Sequence, residues 1–282
     1  MQLGYLTPYS PEALRRASAM GFDCVELDCG WFSADGRGVS SLGHSKEEAR
    51  DLAQESGIFF SALGMYGNPL LADQESTLSV FERAFDLVRF LGCEVLAAMA
   101  GRDPSKSIDE NMPLLQTRWS LLAKAAEDRG VRIAFEPWPG SITGHGPYEW
   151  YNSASTPEIW ERLFDAVPSK ALGLEYDPSH LLWQQIDYML AVREFGDRIY
   201  HVHAKDTKID REKLARCGVH GDGWWRFTVP GDGEVDWKSL LNALRDVGYD
   251  GPVVIEHEDE HYSGARFAEG LAKGRDYLRP LI

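Results

Sequence analysis

Eight short apolar runs, each followed by a segment of helical character, set the strongest limit on what this chain can fold into. The runs are LGYLT (3–7), CVELD (24–28), FFSALGM (59–65), EVLAAMA (94–100), RIAFE (132–136), LGLEYD (172–177), IYHVH (199–203) and PVVIE (252–256). Strict alternation of strand and helix implies a parallel sheet covered by helices. Eight units of roughly 35 residues match a closed (β/α)8 TIM barrel, an α/β fold whose strand ends converge on one mouth. An open doubly wound sheet shares the alternation. Against it, the first strand–helix turn, YLTPYSPE, has no glycine-rich phosphate loop. No repeat or boundary beyond the βα unit stands out, so residues 1–282 are read as a single domain.

The helices are marked by their own start and stop signals. Ser10, Pro11 and Glu12 open one that runs to Met20 and ends at Gly21. Residues 45–57 form a second. Residues 75–91 carry Leu78, Phe81, Phe85, Val88 and Leu91 at three- and four-residue spacing, an amphipathic pattern closed by Gly92. Further helices are expected over 111–129, 157–167, 187–195, 236–248 and 264–278. Two connections are long: 138–155 after the fifth strand and 204–235 after the seventh. Both leave from carboxyl ends of strands, where barrel active sites form, and long loops in compact domains tend to carry function.

Composition narrows the partners. A net charge of −15 makes the chain a poor neutraliser of phosphate backbones, so nucleic acid is not expected. No apolar stretch approaches a membrane span, and MQLGYLTPYS has no basic start followed by an apolar core, so a cytoplasmic protein is expected. Cys24, Cys29, Cys93 and Cys217 form no CxxC and are read as reduced. A hydrophobic patch on an outer helix or a long loop would be compatible with a homo-oligomer.

Four of the strands end on a potential metal ligand: Glu136, Asp177, His203 and Glu256. Charged groups at the ends of buried strands are costly unless something pairs them. One divalent cation reached by all four would satisfy them together. Three carboxylates and one imidazole favour Mn2+, with Mg2+, Co2+ and Zn2+ as alternatives.

With these residues, the segments GFDCVELD (21–28), AFEPWP (134–139), YDPSH (176–180), HVHAKD (201–206), PGDGEVDW (230–237) and GYDGPVVIEHED (248–259) resemble the xylose-isomerase-like barrel superfamily. The similarity is to its sugar phosphate isomerase/epimerase branch, which includes ketose 3-epimerases and inosose dehydratase. The resemblance implies that Glu136, Asp177, His203 and Glu256 hold the metal and that Glu136 and Glu256 are the catalytic acid and base. It implies that His180 touches a substrate oxygen. The epimerases bind substrate with an arginine six residues past the ligand histidine; here that position is Ile209. Lys205 or Arg226 is expected to replace the contact.

The activity so implied is isomerisation or epimerisation of a ketose or keto-sugar through proton abstraction beside the carbonyl. The alternative is a lyase that eliminates from a keto-inositol or 3-keto sugar. A DNA-repair endonuclease on the same barrel would need more histidines and a basic face. A non-catalytic sugar-binding subunit would not need the ligand set. Among other residues, Trp138 and Glu258 are expected substrate contacts, and Trp31, Trp183, Trp224 and Trp225 offer flat faces for a sugar. Glu26 and His201 are read as supporting groups or as structural pairs. Lys205 and Asp206 either meet substrate or fix the loop. Gly231 and Gly233 are read as a tight turn.

Overall fold

The computed structural model describes residues 1–141, 149–150 and 152–282. Eight parallel strands close a barrel: β1 (Gln2–Pro8), β2 (Cys24–Trp31), β3 (Phe59–Tyr66), β4 (Val95–Ala98), β5 (Arg132–Phe135), β6 (Leu172–Tyr176), β7 (Ile199–Ala204) and β8 (Pro252–Ile255). Each pairs with its neighbours in sequence, and β1 closes the ring on β8, with Tyr5 opposite Ile255. The fold is the expected (β/α)8 barrel.

Helices form where the sequence marks them, with shifted ends. Ser10 caps Pro11–Ala19, its side chain accepting from the Ala13 N–H. The helix expected at 111–129 starts earlier, at Ile108, because Ser107 and Glu110 form a reciprocal capping box. Three short helices have no counterpart in the expectation: Arg37–His44, Pro178–Trp183 and Arg211–Cys217. The long connection after β7 contains a hairpin, Asp206–Ile209 against Trp225–Thr228. In the connection after β5, Gly140–Ser141 pairs with Glu149–Trp150, and 142–148 and 151 lie outside the described residues.

The apolar core lies between barrel and helices. Trp119 is fully buried, edge-on to Phe135 at 4.6 Å and to Phe81 at 5.7 Å, and its indole N–H donates to the Ala100 carbonyl at 2.9 Å. Truncating such an aromatic side chain costs about 3–5 kcal/mol. The barrel's own interior is different. Bulky branched apolar side chains usually fill it; here Glu26, Ser61, Glu175, His201 and His203 are buried toward the middle and mouth.

Candidate active site

Alternation along each strand places these groups. In β7, His201 and His203 are two apart and share the inward face; in β6, Glu175 lies two before Asp177. The result is two layers that meet at His203. Atoms of Glu26, Glu175, His201 and His203 lie within 4.8 Å of one another, and so do atoms of Glu136, Asp177, His203 and Glu256.

The lower layer is saturated. Ser61 Oγ lies 3.1 Å from His201 Nε2, and His201 Nδ1 lies 2.9 Å from Glu175 Oε1. Tyr66 Oη is 3.0 Å from Glu175 Oε2 and 2.7 Å from Glu26 Oε1; Glu26 Oε2 is 2.8 Å from His203 Nε2. One proton assignment satisfies the whole chain. Burial pushes Glu175 well above the usual carboxylate range, so it is a neutral acid. Burial pulls His201 down to about 4, so its ring is neutral. Ser61 then donates to His201, His201 to Glu175, Glu175 to Tyr66, and Tyr66 to Glu26. Glu26 stays ionised, because the His203 charge and the hydrogen bonds from His203 and Tyr66 outweigh its burial, and it accepts from His203 Nε2–H as well. Gly64 makes this approach feasible: a Cβ there would sit 2.8 Å from the Tyr66 ring and 2.9 Å from Glu26 Oε1.

The upper layer is not saturated. Asp177 caps the Pro178–Trp183 helix by accepting the Ser179 N–H at Oδ1, 2.8 Å, which leaves Oδ2 buried without a hydrogen bond. His203 Nδ1 is likewise buried without one, 3.0 Å from Glu256 Oε2. Neither nitrogen of His180 has a hydrogen bond; Nε2 is 3.4 Å from both Glu136 Oε1 and Asp177 Oδ2. Burial, then the Lys205 charge, takes His180 down to about 3, so it is neutral. Buried polar atoms without hydrogen bonds inside a ring of carboxylates are what a divalent cation would satisfy once His203 gives up its proton, and the oxygen-rich donor set fits a hard ion.

The two glutamates differ. Burial and the neighbouring Glu256 raise Glu136 to about 7. Glu256 is also buried, but the charges of Lys205 and His203 outweigh this and hold it well below the usual range. Lys205 is 1% exposed, with Nζ 2.6 Å from Glu256, 3.0 Å from Glu258 and 3.4 Å from Asp177. These carboxylates overcome its desolvation and keep it charged.

A cavity of about 370 Å³ opens over this layer, and its lining includes Glu136, Glu256, Lys205, Glu258, Asp28, Tyr66, Trp138 and Trp31. Trp31 is 63% exposed and meets Trp138 edge-on at 5.9 Å. Arg226, expected at the substrate, is elsewhere: its guanidinium pairs with Asp259 at 3.0 Å and it does not line this cavity. Trp183, Trp224 and Trp225 gather with Ile209 in a separate aromatic cluster. Asp206 is a loop anchor, accepting from the N–H groups of Thr207, Gly231 and Val235 and from the Trp237 indole. At Gly233, a Cβ would collide with that carboxylate at 2.1 Å.

Sequence reasoning did not single out Glu175, Tyr66 or Ser61. Glu175 had a signal, since stepping back two residues from Asp177 lands on a charge inside an apolar strand. Tyr66 and Ser61 had none, because their partners are far away in sequence.

Barrel topology and this mouth define a class. The chain belongs to the xylose isomerase-like TIM barrel family, whose model matches residues 14–281. It is 28% identical to the uncharacterized protein YfiH of Bacillus subtilis (strain 168), over 92% of this chain and 93% of that protein. It is 27% identical to inosose dehydratase of Geobacillus thermodenitrificans, over 73% of this chain and 70% of the enzyme. A crystal structure of D-psicose 3-epimerase determined in the presence of D-fructose superposes with a TM-score of 0.74 at 17% identity, covering 100% of this chain and 99% of that one. The last similarity is one of fold.

Proposed function

We propose that the chain is a divalent-metal-dependent isomerase or epimerase that moves a proton at the carbon beside the carbonyl of an uncharged keto-sugar. One observation carries this reading: two carboxylates of opposite ionisation bias, Glu136 and Glu256, flank the same orphaned Asp177 and His203 atoms. Pairs of titratable groups pushed apart by their surroundings are acid/base pairs.

Glu136, Asp177, His203 and Glu256 would hold the ion, with Mn2+ favoured by three oxygens and one nitrogen. When bound, it supplies Lewis-acid stabilisation of negative charge on a substrate oxygen. Of the two glutamates, one accepts the proton from carbon and the other returns it. His180, neutral and free at both nitrogens, receives a substrate hydroxyl, and Lys205 donates to a second oxygen. Glu26 accepts the Nε2–H of His203, so the Nδ1 lone pair faces the site, the usual arrangement of carboxylate, histidine and metal. Among the described residues lining the cavity, Lys205 is the cation, and it is already matched by three carboxylates. A phosphate or carboxylate on the substrate would therefore meet net negative charge, and an uncharged polyol ketone would not. Trp138 and Trp31 offer it flat apolar faces.

Elimination is the second reading, favoured by the buried Lys205 ammonium beside Glu256, which can donate to a departing oxygen. The likeness to inosose dehydratase supports it. Incubating the Mn2+-loaded protein with neutral keto-sugars and keto-inositols in D2O, with mass spectrometry, separates the two. Deuterium gained at constant carbon skeleton and oxygen count supports isomerisation or epimerisation. A product lighter by water supports elimination. Absence of carbon-bound deuterium across the panel would overturn both.

A further inference from the structure

The long connection after β7 packs against two side chains of the site. Its second hairpin strand, Trp225–Thr228, presents Trp225 and Phe227 on one face, two residues apart. Opposite lies the short helix Pro178–Trp183, which presents His180 and Trp183 three residues apart. The two periods mesh. Trp183 stacks on Trp225 at 4.7 Å with the rings 2° from parallel, and His180 meets Phe227 edge-on at 5.3 Å and 88°. Trp225 backs Phe227 at 4.8 Å. The Lys205 ammonium lies over the same Phe227 ring, 4.4 Å from its centroid. One ring thus touches two side chains of the site, and one of them, His180, has no hydrogen bond at either nitrogen to fix it.

We propose that Phe227 is the positioning residue for His180 and Lys205, which makes the hairpin a working part of the active site. This rests on the reading above for what those two groups do, but not for the contacts themselves. It also accounts for Ile209. That residue pairs with Trp225 across the hairpin and is buried with Trp183 and Trp224, so its side chain builds the base of the aromatic wall. A wall that holds His180 and Lys205 stands where the resemblance led one to expect an arginine contact.

The test compares Phe227→Leu with Phe227→Tyr in the full-length Mn2+-loaded protein. Three quantities are read: acetylation of Lys205 by N-hydroxysuccinimidyl acetate, followed by peptide mass spectrometry; Mn2+ affinity; and kcat/KM for deuterium exchange with the keto-sugar accepted by the wild type. In Phe227→Leu, Lys205 should acetylate about tenfold faster and kcat/KM should fall about tenfold, with Mn2+ affinity within about twofold. Phe227→Tyr, which keeps the ring, should restore both. Unchanged acetylation in Phe227→Leu would overturn the proposal, as would an equal loss in both variants. If the leucine variant fails to unfold cooperatively, Phe227→Met replaces it under the same criteria. A wild type that exchanges no substrate refutes the functional readings above and not this proposal, since the acetylation contrast needs no substrate.

Discussion

The two layers inside the barrel use the same residue types and share His203, yet they are built for different ends. In the lower layer every glutamate and histidine atom that faces a neighbour has a donor or acceptor, from Ser61 through His201, Glu175 and Tyr66 to Glu26. In the upper layer Asp177 Oδ2, His203 Nδ1 and both His180 nitrogens are left over. Buried polar groups are normally satisfied, so a cluster that fails the rule is a place where something else binds. Composition alone would nominate both clusters as metal sites. Hydrogen-bond accounting separates them, and it makes the lower layer the frame that aims the upper one.

The largest expected effect is in the upper layer. Glu136→Gln or Glu256→Gln should lower the deuterium-exchange rate by about 10²–10⁴-fold. Glu136→Gln should leave the unfolding midpoint near wild type or above it, because burial and Glu256 already disfavour the Glu136 charge, whereas Glu256→Gln unpairs the buried Lys205 ammonium and should lower the midpoint. Either variant turning over at near the wild-type rate would end the acid/base assignment.

Breaking the frame should act differently. Glu26→Ala removes the acceptor of His203 Nε2–H and strands Tyr66. Losing one member of a buried charged network costs about 3–5 kcal/mol. Metal affinity, measured by competition with a chelator, should also fall about 10–100-fold. An alanine variant that keeps wild-type affinity would show that the layers are independent.

How much of this could be read in advance follows from where the partners lie. Strand ends are local features, so Glu136, Asp177, His203 and Glu256 could be nominated from apolar runs that finish on a charge. The barrel followed from alternation, which is local as well. The Tyr66–Glu26 hydrogen bond joins two strands 40 residues apart, and Phe227 meets His180 only because a hairpin folds back over a six-residue helix whose local mark is Asp177 followed by Pro178. The Arg226 pairing was hidden for the same reason: its partner, Asp259, sits 33 residues away in the loop after β8.

The contrast also has a pH signature. With no ion bound, Glu136 holds its proton up to about 7, and the surrounding carboxylates keep His203 protonated. A raised carboxylate contributes stability that is present below its unfolded pKa and lost as pH rises through about 7. A cation needs both groups deprotonated, so its affinity should grow over the same range. The gain in Tm on adding Mn2+ should therefore be larger one unit above pH 7 than one unit below it. A gain that shrinks on raising the pH would contradict the assignment of Glu136 to the metal.

The smallest expected effect is the sharpest probe of the lower layer. Glu175 is as buried as Glu26 and only one layer from the proposed ion, so a simple charge count predicts that neutralising it is as harmful as altering Glu26. The hydrogen-bond chain predicts otherwise. Glu175 is already neutral, its carbonyl oxygen accepting from His201 and its hydroxyl donating to Tyr66. A glutamine amide offers the same acceptor and a donor in the same places. Glu175→Gln should thus change stability by less than about 1 kcal/mol and leave Mn2+ affinity within a few-fold, because no partner is stranded. Glu175→Ala, which strands His201 and Tyr66 together, should lose several kcal/mol. If the glutamine variant is as unstable as the alanine, Glu175 carries a charge in the folded protein. Tyr66 would then donate to Glu175 in place of Glu26, while Ser61 and His201 would keep their directions.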